Sequence, residues 1–309
     1  MAIDETTKKS PESLAHRAVQ DLALEAENSV EQMLRLVDRL HRAERKTPEL
    51  VPSAAGTNSN GDFQNDVLPE ITTEPTFAPK LDWEKCLQVF SVLHPKCKKE
   101  YVEVFRLLRA RVSLAKREWA TGNVPLQLLA IVSPTSKNGK SFVATNLAAA
   151  LALGSDEKVL IIDLNPLSNE MSTALGVAKS AGVPEAVRSG QWEPSVHQVG
   201  ETNLFVMPAG KANENRMDSV DFRRLPLLLE SLRSTFAWII LDGPAASDSS
   251  DAELLANYAD ANLLVMRKGV TEFSEVAQLK ETIPEGRLLG AVFNSQFDEK
   301  KKSWFRRDK

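Results

Sequence analysis

Residues 128–153 read LLAIVSPTSKNGKSFVATNLAAALAL, and the change of period within this stretch decides the fold. Leu128 to Val132 is a short, apolar, partly β-branched run, the pattern of a buried strand. From Phe142 to Leu153 apolar residues recur at helical spacing in an alanine-rich segment, which favours a helix. Between the two lies a polar turn carrying Gly139-Lys140-Ser141. A strand that turns directly into a helix leaves the N–H groups of the first helical turn unpaired, and the helix dipole favours an anion above them. The turn is therefore a candidate phosphate site, with Asn138, Gly139, Lys140, Ser141 and Phe142 as binding residues. Lys140 would reach the terminal phosphates and the Ser141 hydroxyl would hold Mg²⁺. The match to G-x-x-x-x-G-K-[ST] is incomplete, because Pro134 takes the first glycine position and Lys137 and Asn138 stand where glycine is common. An ordinary strand-to-helix turn with a surface lysine is the alternative.

Two further apolar runs end in aspartate: Lys158 to Asp163 (KVLIID) and Phe236 to Asp242 (FAWIILD). Beside a phosphate turn, such strands place carboxylates at the carboxyl edge of a parallel sheet, where Asp163 and Asp242 can hold Mg²⁺ directly or through water. Runs at Asn203 to Met207, Ala261 to Met266 and Leu288 to Phe293 alternate with helical stretches near Asp221 to Ser234, Asp251 to Tyr258 and Thr271 to Thr282. The fold class is α/β, doubly wound, with a mainly parallel sheet.

The composition sets the limits of this reading. At 309 residues, 42% hydrophobic and 26% charged, with a mean hydropathy of −0.25, the chain has enough apolar material for one sizeable core and a tail. A net charge of −4 and a pI near 5.8 give no overall reason to expect nucleic acid as a partner. Cys86 and Cys97 have no histidine or cysteine partner at metal spacing, which fits a reduced, cytosolic setting. No signal peptide and no membrane-span-length apolar run is read.

The organisation read from the chain is an N-terminal amphipathic helix (1–46), a disordered linker (47–80), the α/β domain (81–297) and a basic tail (298–309). Val19, Leu22, Ala26, Val30, Met33, Val37 and Leu40 form the stripe of the first, which needs a covering surface. Five prolines among polar residues mark the second. Asp82 to Arg117 returns to helical pattern, and within it Glu103, Arg106 and Arg109 recur at three-residue steps. That spacing is read as one helix side, able either to meet a facing subunit or simply to be solvated. The tail, with Trp304 and Phe305 among basic residues, is read as a solvated end.

Taken together, residues from about 98 to 296 resemble the bacterial tyrosine kinase family, P-loop domains that regulate capsule and exopolysaccharide chain length and export. Glu103, Arg106 and Arg109 match the family's Glu-x-x-Arg-x-x-Arg helix, which the resemblance implies is an oligomer interface. The family loop looks like SxxPGEGKS and also lacks the first glycine. Asp163 and Asp242 match the acids of its two further Walker motifs, and Asn294, after the last strand, is implied to face the adenine. Implied cofactors are ATP and Mg²⁺, with Lys140, Asp163 and Asp242 as the catalytic set and Ser141, Asp163 and Asp242 at the metal. Implied partners are an inner-membrane polysaccharide co-polymerase and further copies of the chain, with a cytoplasmic location peripheral to the inner membrane.

The departures fall on the chemistry. Asn165 stands where the family has a second acid, so activation of an attacking hydroxyl rests on Asp163. The C-terminal tyrosine cluster is missing, and the only tyrosines, Tyr101 and Tyr258, are read as structural. Two other readings stay open. One is an ATPase switch of the partitioning or division-site kind, against which stands Thr135 at the position of the signature lysine. The other is a catalytically silent adaptor.

Overall fold

The computed structural model of the chain describes residues 77–119, 125–165, 168, 170–210 and 223–295. The expected N-terminal helix, most of the linker and the basic tail lie outside the described residues. Eight strands form one sheet: β1 (Ala78–Leu81), β2 (Leu128–Val132), β3 (Val159–Asp163), β4 (His197–Val199), β5 (Leu204–Met207), β6 (Trp238–Asp242), β7 (Ala261–Arg267) and β8 (Leu288–Asn294), in the order β1-β4-β5-β3-β6-β2-β7-β8. The six from β5 to β8 run parallel, and β4 meets β5 antiparallel while pairing parallel with β1. β2, β3, β5 and β6 are buried along their whole length, which is why they read as unbroken apolar runs rather than alternating ones.

The chain leaves β2 at the middle of the sheet, builds β3 two places to one side, and later fills the gap with β6 and the other side with β7. Such a reversal of winding opens a crevice at the carboxyl ends of the strands. The registers bring the acids there: Asp163 pairs with Asp242 across β3 and β6, and Asp242 pairs with Ile131 of β2.

The described helices are α1 (Trp83–Val89), α2 (Lys99–Trp119), α3 (Lys140–Leu153), α4 (Glu170–Ala174), α5 (Val183–Ser189), α6 (Leu225–Leu232), α7 (Asp251–Tyr258) and α8 (Phe273–Thr282). α3 follows the turn after β2 and is buried on nearly all sides, with Ala144, Leu147, Ala148 and Ala149 fully enclosed. A helix apolar all round belongs inside a core, and its alanines let it lie close to β2, β3 and β6. α2 covers α3 from outside, through Phe105 and Val112.

Two features depart from the expectation. Residues 77–80, expected in the linker, are ordered: Ala78 N–H donates to Val196 O (3.0 Å), and the Phe77 ring packs 5.0 Å from that of Phe205. β1 is an edge strand, where a proline such as Pro79 costs no ladder bond, so its proline disguised it as linker. The helical stretch 82–117 is also two helices, broken by a 3₁₀ turn at Ser91–Leu93. Among the described residues no helix is long and apolar enough to cross a membrane.

Candidate functional site

The turn between β2 and α3 closes over its own helix end. Gly139 is the residue before the first helical turn, with φ +90°, a left-handed conformation that glycine adopts without cost. A Cβ at Gly139 would stand 2.0 Å from Asn294 Nδ2, which itself donates to Asn138 O at 3.0 Å. Asn294 thus comes from the end of β8 to clamp the loop backbone, and only glycine leaves room for it. Lys137, with φ +61°, is the one non-glycine residue at positive φ among the described residues, so it does occupy a position suited to glycine. From the other side the segment after β6 is laced to the loop, with Ala246 N–H donating to Ser133 O (3.1 Å) and Ser247 N–H to Pro134 O (2.9 Å).

Lys140 and the two acids meet at the crevice. Lys140 is 7% exposed, and its ammonium's proton affinity is lowered by burial, against the pull of Asp242 and Asp248. Asp242 is 1% exposed, and burial, aided by the nearby Asp163 charge, pushes its carboxyl up to about 7, against the Ser141 hydroxyl bond and the Lys140 charge. Its Oδ1 is enclosed and has no hydrogen-bond partner. Asp163 is held differently: Ser172 Oγ donates to its Oδ2 (2.7 Å) and Asn165 N–H to its Oδ1 (3.1 Å), while Ala209 N–H donates to Ser172 Oγ (3.1 Å). Burial raises its proton affinity too, and these bonds oppose the rise. The orphaned buried oxygen of Asp242, on a carboxyl that also feels the Ser141 hydroxyl and the Lys140 charge, is the kind of atom a hard cation satisfies. The residues present fit Mg²⁺.

Alongside the loop lies a cavity of about 420 Å³, lined among others by Phe142, Asn146, Asn294, Lys137, Arg267 and Tyr101. Asn294 therefore both clamps the loop and faces a space of ligand size. Phe142 meets Phe105 of α2 edge-on at 5.8 Å, and Asn146 ties α3 to the 3₁₀ turn by accepting from Val92 N–H (2.8 Å). Arg267 reaches Lys137 O (3.4 Å). Ser172, Asn146, Arg267 and Asp248 were not found from the sequence: each lies outside the loop motif, and only the folded chain brings it to the crevice.

The three charged residues on α2 do not share one side of the helix. At three-residue steps a helix falls back by about 60° each time, so Glu103 and Arg109 point about 120° apart. Glu103 and Arg106 are solvent-exposed and paired with each other (2.8 Å). Arg109 turns inward, with Nη1 donating to Ala150 O (3.3 Å) and its side chain over Gly154, at the end of α3. A cation there complements the helix dipole.

Comparison with known proteins agrees with this geometry. The CobQ/CobB/MinD/ParA nucleotide binding domain matches residues 129–294, from β2 to the end of β8. The tyrosine-protein kinase YwqD of Bacillus subtilis (strain 168) is 27% identical over 197 residues, covering 63% of this chain and 81% of that protein. The succinoglycan biosynthesis transport protein ExoP of Rhizobium meliloti (strain 1021) is 29% identical over 174 residues, 54% of this chain but 22% of ExoP. The chain thus spans most of a short relative and under a quarter of a long one. Among solved structures, the kinase domain of the Escherichia coli tyrosine kinase ETK superposes with a TM-score of 0.57 at 26% identity, covering 74% of this chain and 91% of that one. The chain resembles bacterial tyrosine kinases, and the matched span holds every element of the crevice, from the loop after β2 to Asn294. With its phosphate turn, its acids at the ends of β3 and β6 and its parallel sheet all inside that span, the chain belongs to the CobQ/CobB/MinD/ParA nucleotide-binding family.

Proposed function

We propose that the chain binds MgATP and acts as a tyrosine-kinase-like regulator of polysaccharide synthesis and export. The observation that carries this reading is the crevice in which Lys140, Ser141 and Asp242 meet at one helix end, with an enclosed Asp242 oxygen left without a partner. Bound Mg²⁺ would neutralise charge on the phosphates, held by the Ser141 hydroxyl and by Asp242, with Asp163 acting through water. The loop N–H groups and Lys140 orient the phosphates. Asp163, fixed by Ser172 and the Asn165 N–H, takes the proton of an incoming hydroxyl through a water. Asn294, Phe142 and the cavity beside them take the base.

Homo-oligomerisation is supported by the outer side of α2. Val104, Leu107 and Leu114 are 59%, 57% and 56% exposed, and with Arg111 they repeat at steps of three and four residues, the spacing of a helix seam. The interface we propose is this stripe flanked by the Glu103–Arg106 pair, while Arg109 stabilises α2 on α3. The names of the relatives, tyrosine kinases and a succinoglycan transport protein, support an inner-membrane polysaccharide co-polymerase as the partner, with the chain peripheral to that membrane.

The test is incubation with Mg²⁺, γ-labelled ATP and a tyrosine-containing polymer, beside Lys140→Met. Label on the polymer that disappears in the variant supports the kinase. Release of phosphate with no transfer would replace it by an ATPase, and neither product would leave a nucleotide-binding regulator without chemistry.

A further inference from the structure

Tyrosine is scarce in this chain, and the structure separates its two copies. Tyr258 ends α7 and is half-buried, whereas Tyr101, in the first turn of α2, is 41% exposed. The structural role expected of Tyr101 rested on burial, and the residue is not buried. Its ring instead lines the cavity beside the phosphate loop, in company with two cations, Lys137 and Arg267. Resting on the kinase reading above, we propose that Tyr101 is the phosphoryl acceptor of this chain, modified by a second copy.

Three observations carry the proposal. Accessibility comes first, since a phenol must leave its own surroundings to enter a donor's crevice, and Tyr101 is the more exposed of the only two tyrosines. The second is direction. The cavity that Tyr101 lines contains none of Lys140, Ser141, Asp163 and Asp242, so the residue lies beside the loop and not among the groups read as holding the terminal phosphate. Transfer within one molecule is disfavoured by that arrangement, and the donor is another copy. Tyr101 also lies three residues before Val104, one helical turn from the exposed apolar stripe, where a second copy would sit. The third is the product. A phosphate on Tyr101 carries about −1.5 to −2 charge, and Lys137 and Arg267 on the same cavity offer it charge-assisted bonds while the first turn of α2 favours an anion.

The step balances without a further reactant. A bond forms between Tyr101 Oη and the γ-phosphorus of ATP bound in the second copy, and the bond from that phosphorus to the β–γ bridging oxygen breaks. ADP leaves with the bridging oxygen, and the phenolic proton passes through water to Asp163 of the donating copy.

Mixing variants tests both site and direction. Tyr101→Phe keeps the crevice but lacks the acceptor, and Lys140→Met keeps the acceptor but not the crevice. With γ-labelled ATP and Mg²⁺ the wild type is expected to be labelled at Tyr101 and each variant alone to stay at background. The mixture should place label on the Lys140→Met chain only. A circular dichroism spectrum and a urea unfolding midpoint of Tyr101→Phe that match wild type show that it is folded. Label persisting on Tyr101→Phe, or found on Tyr258, overturns the proposal. Wild type that labels a tyrosine polymer but never itself overturns it while leaving the kinase reading intact. No label on either protein or polymer overturns both.

Discussion

Replacing Asp242 by asparagine should make the nucleotide-free protein less sensitive to pH. The carboxyl is buried, with a proton affinity raised from the usual 3.8 to about 7. In the unfolded chain it returns to the ordinary value, so folding takes up a proton between about pH 4 and pH 7. A raised native pKa contributes stability that is complete below the unfolded pKa and lost as pH rises through the native one. The difference of about three units, at about 1.4 kcal/mol each, sets a loss of about 4 kcal/mol from pH 4 to above pH 7. Asparagine keeps an oxygen for the Ser141 hydroxyl and places an amide where Oδ1 is enclosed, a constant cost of about 1–3 kcal/mol that does not vary with pH. The slope is therefore the diagnostic quantity. Urea unfolding of both proteins at pH 5 and pH 8, without divalent cation, spans about two of those three units and should show the wild type losing about 2.5–3 kcal/mol more than Asp242→Asn. Because Asp163 adds to the rise at Asp242, part of that slope belongs to the pair. Equal slopes in the two proteins would refute the claim that a buried charge is stored at this position.

Gly139→Ala should abolish nucleotide binding, since the added carbon meets the Asn294 amide at 2.0 Å in a left-handed conformation; titration with nucleotide measures it. Ser172→Ala removes the hydroxyl that fixes Asp163 and accepts from Ala209 N–H, so phosphoryl transfer should slow with nucleotide affinity little changed, in a kinetic assay that separates kcat from KM. Arg233→Leu strips the bidentate partner from Asp260, a buried carboxylate that also accepts from Gln127 and Leu128 N–H. The loss should be about 3–5 kcal/mol by denaturant unfolding.

The central sheet was legible because its strands are buried on both sides and therefore read as plain apolar runs, each ending near where the structure ends it. β4 has only three residues and β1 contains a proline, too little pattern for either to announce itself. The loop was legible as Gly139-Lys140-Ser141, but its closure was not: Asn294 clamps it from 156 residues away along the chain. Ser172 lies only nine residues after Asp163, but no local pattern marks it, and its value lies only in facing Asp163. At Glu103, Arg106 and Arg109 the spacing suggested more than one helix side can carry. Three-residue spacing looked like one side of a helix, yet it precesses, and Arg109 turned to α3. The neighbouring Val104, Leu107 and Leu114 are apolar and exposed, which the charged pattern gave no sign of.

The most direct test of a MgATP site at this crevice is calorimetric titration of the protein with ATP, with and without Mg²⁺, beside Lys140→Met. Saturable binding of one ATP per chain that is strengthened by Mg²⁺ and lost in the variant is the predicted result. Binding that ignores both Mg²⁺ and Lys140, or no binding at all by a folded protein, would contradict it.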